Sequence, residues 1–152
     1  MFKYAILIIS SLLYANSSNS LIENINSIRL KDNNCSKAVS KLKWSDKLKD
    51  AIRFTDNYLK IEDNTTLIKK VKDANYKLKE GGVVGELRAI TKFKIVKSND
   101  YIIHFQHALE NFLKDTKSCN ILMNPNFKDV AIGYIRVNDG YFWIIDFASG
   151  EK

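Results

Sequence analysis

His104 and His107 stand in an H-x-x-H arrangement within a stretch of helical periodicity, so one turn could bring both rings to a single metal ion. Two ligands without an adjacent third make a poor metal site. His107 shares its helical face with the charged Glu110 and Lys114, and His104 falls at the edge of the apolar face. Both are therefore read as ordinary surface histidines. The two cysteines, Cys35 and Cys119, are an even pair. A catalytic thiol needs a base beside it, and neither histidine is close to either cysteine in sequence. A single intramolecular disulfide is the expected use of both. Glu86 follows three closely spaced glycines, Gly81, Gly82 and Gly85, which break helical continuity and place it in a strand or extended loop. Trp44 and Trp143 are read as core aromatics. The sequence contains neither a phosphate-binding loop nor a C-x-x-C pair.

These groups sit in a chain of 152 residues, enough for one domain with a substantial core. Hydrophobic residues make up 45% and charged residues 27%, a balance ordinary for globular proteins. The net charge is +7, with lysines clustered at Lys37, Lys41, Lys43, Lys47 and Lys49 and again at Lys69, Lys70 and Lys72. That excess favours weak attraction to anionic surfaces. The opening MFKYAILIISSLLYA has a positive start, an apolar run too short to span a bilayer, and small residues before a polar NSSNS. It reads as a signal peptide over residues 1–15, with residues 16–152 forming a single domain. Export, to the periplasm or outside the cell, argues against a nucleic-acid partner.

The elements that must position these residues alternate in period. Leu21, Ile25 and Ile28 form one helical stripe after Ser20. Ser45 can cap a second helix in which Leu48, Ala51, Ile52, Thr55, Tyr58 and Leu59 recur at three- and four-residue spacing. A third helix is expected over Thr65–Ala74. A fourth, capped near Ser98–Asp100, carries Tyr101, Phe105, Ala108 and Phe112 on one face. VAIGYIRV and YFWIIDFA, joined through Asn138-Asp139-Gly140, predict a hairpin. Both faces of its strands are apolar, so helices must cover both. The expected class is α+β, an α–β–α sandwich around a small antiparallel sheet.

The segments LKWSDKL, NYKLKEGGVVGE, SCNILMNPNFKDVAIGY and GYFWIIDFA resemble bacterial members of the CAP superfamily, the SCP-like domains related to cysteine-rich secretory and pathogenesis-related proteins. The resemblance spans roughly residues 20–149 and implies the same sandwich. It also implies a Cys35–Cys119 bridge, since some exported members carry cysteines at both places. The family's cleft usually holds two histidines and one or two acids. Here the corresponding cleft positions are Thr55, Glu86 and Ser118, with Leu87 in place of the asparagine that follows the glutamate and Phe112 in place of a common tryptophan. Both imidazoles are replaced by hydroxyls. The resemblance therefore implies no catalytic set, no metal and no cofactor. The expected function is an exported, monomeric, non-catalytic module binding a partner protein or a lipid-like ligand. The alternative is a peptidase-like hydrolase using an atypical site around Glu86. Calorimetric titration with zinc should show no stoichiometric binding by the wild type, because hydroxyls are poor replacements for imidazoles. The double variant Thr55→His, Ser118→His should gain measurable zinc affinity; tight binding by the wild type would instead establish a metal centre.

Overall fold

In the structure, a computed structural model, residues 18–54 and 64–152 are described. The expected signal peptide over residues 1–15 and Thr55 lie outside them. Helix α1 covers residues 18–29. There follow strand β1 (Lys43–Trp44), helices α2 (Asp46–Ala51) and α3 (Asn64–Asp73), and strand β2 (Val84–Lys92). Helices α4 (Phe93–Val96), α5 (Tyr101–Lys114) and α6 (Thr116–Leu122) precede the hairpin β3 (Asp129–Val137) and β4 (Gly140–Ala148). The sheet order is β1-β3-β4-β2, antiparallel throughout except where the two-residue β1 joins β3 in parallel.

β4 is buried at all nine of its positions, and its alternation defines two cores. Tyr141, Trp143, Ile145 and Phe147 face α1, α5 and α6, meeting Leu21, Ile25, Phe105, Leu109 and Leu122. Phe142, Ile144 and Ala148 face α2 and α3, meeting Leu48, Ala51 and Val71. The α+β sandwich is thus a direct consequence of a strand with no polar face. The hairpin register pairs Val137 with Gly140, and a β-carbon at Gly140 would lie 1.8 Å from the Thr91 carbonyl oxygen. Only glycine lets β4 start so close to β2.

Capping sets the helix starts. Ser45 accepts from the Leu48 amide, Asp100 from Ile102, and Asp115 from Ser118. Asp115 both ends α5 and starts α6, a helix of seven residues that the sequence pattern did not announce. The second helix departs from expectation: it stops at Ala51, with Ile52 already extended. Extended backbone sends residues two apart to the same side, and Ile52 and Phe54 both press on the sheet at Gly133. A continued helix would swing them about 200° apart. Phe54 also meets Phe142 edge-to-face at 5.5 Å.

One corner is held by a buried cation. Arg29, at 0% exposure, donates to the carbonyls of Ser40, Leu122 and Asn124, the shortest at 2.6 Å. Burial pushes it down to about 10, so it stays charged at neutral pH. The carbonyls at the end of α6 supply the compensating negative dipole. Beside it the Cys35–Cys119 disulfide closes a sequence separation of 84 residues, as expected. Replacing Arg29 with Met should cost about 2–4 kcal/mol, since buried carbonyls lose their donors. Cys119→Ala should cost about 4 kcal/mol through restored freedom of the unfolded chain. Urea midpoints read both losses; a change below 1 kcal/mol in either would remove that contact from the fold's supports.

Candidate functional site

Glu86 lies in the third position of β2, where alternation turns its side chain with that of Arg88 toward α2 and α3. Its register partner on β4 is Asp146. α3 contributes Lys70, one turn after the core residue Leu67 and next to Val71, with its side chain only 9% exposed. The result is a buried quartet. Lys70 Nζ is 2.8 Å from Glu86 Oε2 and 3.3 Å from Asp146 Oδ2, and Arg88 Nε donates to Glu86 Oε1.

The two carboxyls are driven apart in basicity. Burial pushes Glu86 up, but the bonds from Arg88, Asp146 and Lys70 outweigh it and hold the group below its ordinary range. Burial pushes Asp146 well above the usual carboxylate range; Lys70 opposes this, and the Glu86 charge adds to it. Asp146 Oδ2 keeps Lys70 Nζ at 3.3 Å, a longer contact than the 2.8 Å that Lys70 makes to Glu86. A protonated Asp146 can donate to Glu86, which adds to the upward push on Asp146 and to the downward push on Glu86. Both Glu86 oxygens are engaged by cations. Such a carboxylate is a weak base, and two neighbouring positive charges oppose a divalent ion.

The other cleft positions are placed differently. Ser118 sits in the first turn of α6, and its amide and hydroxyl both bond to Asp115 Oδ2, at 2.9 and 2.6 Å. α6 covers the sheet face opposite the Glu86 side chain, with Ile121 packed over Gly85. The structure therefore does not bring Ser118 and Glu86 to one face, so any zinc site gained by the Thr55→His, Ser118→His variant would have to form without Glu86. Leu87 and Phe112 are buried in the larger core.

The histidine reading needs correction. His104 is 0% exposed rather than at the surface. Its Nε2 is 2.7 Å from the Ser98 carbonyl, so Nε2 carries the proton; Nδ1, 2.7 Å from Thr91 Oγ1, accepts from that hydroxyl. Trp143 Nε1 then donates to the same Thr91 oxygen at 3.1 Å, and every polar atom in the chain of bonds is satisfied. His104 is a structural residue, and the half-buried His107 does not join it. Among the described residues no three His, Cys, Asp or Glu side chains gather for a metal.

Sequence reasoning found Glu86 but not Lys70, Arg88 or Asp146. The signals were a charged pair two apart on one strand, Glu86 and Arg88, and one acid inside the apolar YFWIIDFA.

No family model matches the chain, and neither does any curated protein. Among solved structures it is similar to Schistosoma mansoni venom allergen-like protein 4, with 13% identity and a TM-score of 0.49. The likeness covers 88% of this chain and 84% of that one.

The quartet sets a pH response. An acid with a raised folded-state pKa lends stability at low pH and loses it as pH rises; a depressed acid does the reverse. Asp146→Asn should therefore raise the melting temperature at pH 8 while changing little near pH 4. Glu86→Gln should cost about 3–5 kcal/mol at pH 7, because it removes the charge that Lys70 and Arg88 share. An Asp146→Asn effect equal at both pH values would show that Asp146 does not titrate between them.

Proposed function

We propose that the chain is an exported, non-catalytic CAP-fold module that binds a small apolar or lipid-like ligand. The family part of this reading rests on the MNPNF…GY and GYFWIIDFA segments, together with an α+β sandwich of the kind they imply. The observation that carries the non-catalytic part is the state of Glu86: both oxygens are held by Lys70 and Arg88, and its basicity is lowered. A group so neutralised serves packing and register better than proton transfer.

A disulfide closed across the domain suits an oxidising compartment. No helix among the described residues is long and apolar enough to cross a membrane. For the ligand, a groove of 430 Å³ runs along the hairpin end, where Ile90, Ile135 and Val137 form an apolar floor with Lys92 and Arg136 at its rim. That volume lies within the usual range for small-molecule sites, about 300–1,000 Å³. The rim also carries Asp139, 3.4 Å from Lys92 Nζ, and Arg136 lies over the Phe93 ring, so the apolar floor rather than the rim charge is what fits an acyl chain.

Native mass spectrometry of the protein recovered from its producing cells tests the proposal. The expected result is cleavage near Ala15, an oxidised Cys35–Cys119 pair and a retained lipid-sized mass, with the mass lost in Ile135→Lys. Turnover of peptide substrates by the wild type, abolished in a folded Glu86→Gln variant, would replace this reading with the hydrolase.

A further inference from the structure

The loop between α1 and β1 contains Asp32-Asn33-Asn34-Cys35-Ser36. Asn34-Cys35-Ser36 is an N-x-S sequon, the acceptor pattern for N-linked glycans in exported chains. Asp32 stands two places before the asparagine, which extends the match to the acidic pattern that bacterial-type oligosaccharyltransferases select. Sequence alone cannot say whether such a site is usable, since an asparagine in a folded chain can be tied up in hydrogen bonds or covered.

The structure distinguishes this one. Asn34 is exposed, at a bend, and its side chain takes no part in the hydrogen bonds of the described residues, whereas neighbouring Asn33 accepts from the Cys35 amide. Asp32 is also at the surface, its side chain 60% exposed and paired with Lys37. The loop is tethered rather than packed: the disulfide holds it at Cys35, and the Val39 amide donates to the Arg29 carbonyl. A sugar on Asn34 would point into solvent without displacing a core residue. Cys119 lies 84 residues further on, so during translocation the sequon emerges well before its cysteine can be bridged. The disulfide therefore does not forestall modification.

We propose that Asn34 is an acceptor for an N-linked glycan. The donor is a lipid-linked oligosaccharide pyrophosphate. A bond forms between Asn34 Nδ2 and the anomeric carbon of the first sugar, the bond from that carbon to the pyrophosphate oxygen breaks, lipid pyrophosphate leaves, and one amide proton is lost. The inference rests on the export reading, because the transfer takes place on the outer side of the membrane.

The test co-expresses the full chain with a bacterial oligosaccharyltransferase and its lipid-linked donor in a host that exports a known acceptor protein as control. A second chain carries the leader of an exported host protein in place of residues 1–15. Intact mass and peptide mapping then report leader cleavage and modification together. Expected are a cleaved leader and one oligosaccharide mass on the Asn34 peptide, abolished by Asn34→Gln and by Ser36→Ala. The leader-replaced chain, exported and cleaved but unmodified at Asn34 while the control is glycosylated, would overturn the proposal. So would a glycan confined to the chain's other acidic sequon, at Asn64. Modification of the leader-replaced chain alone would leave Asn34 standing and remove the export reading instead.

Discussion

Strand β4 is covered on both faces along its whole length, and most of the architecture follows from that constraint. A nine-residue strand with no solvent side needs a helical layer above and another below, and it needs a neighbour at each edge for its backbone groups. β2 and β3 supply the edges in full register. The larger core, around Trp143 and Phe105, takes α1, α5 and α6; the smaller one, around Phe142 and Ile144, takes α2 and α3. One polar side chain interrupts this strand, Asp146, and its burial forces a local electrostatic solution.

That solution is the quartet with Glu86, Arg88 and Lys70. A carboxyl in this position is costly if ionised alone and tolerable if it shares a proton with a neighbour already held by two cations. The arrangement ties α3 to β2 and β4 through charges rather than through apolar contact. It also uses up the one acid that the CAP resemblance would place in a cleft. Both Glu86 oxygens face cations, so its charge goes to internal compensation.

The second fixed point is the corner where Arg29 and the disulfide meet. Arg29 gathers carbonyls from the loop before β1, the end of α6 and the Asn124-Pro125 turn, while Cys35–Cys119 fastens the same loop to α6 covalently. The two devices act on different states. The disulfide limits the unfolded chain, and the guanidinium satisfies backbone groups that the folded chain would otherwise bury unpaired. Between them they leave the Asp32–Ser36 stretch anchored but exposed, which is why a loop with few packing contacts holds a defined shape.

Features that depend on neighbours in sequence were legible without the fold. The hairpin with its Gly-ended turn, the capping residues Ser45 and Asp100, the stripe Phe105–Ala108–Phe112 and the pairing of an even number of cysteines all arise within a few residues or by counting. Periodicity also showed that the sheet must be covered twice. What it could not supply was the identity of partners across the chain. The end of α2 at Ala51 depends on where Gly133 leaves room for Ile52 and Phe54, a matter of packing against a strand 80 residues away. His104 is buried because Thr91 and Ser98 happen to bracket its ring, and no local pattern announces them. The quartet exists only through the register that sets Glu86 opposite Asp146 and the helix that lowers Lys70 onto both. Sequence specifies the face a side chain takes on its own element; which charge it meets there is decided by register and layer packing, and those belong to the folded chain.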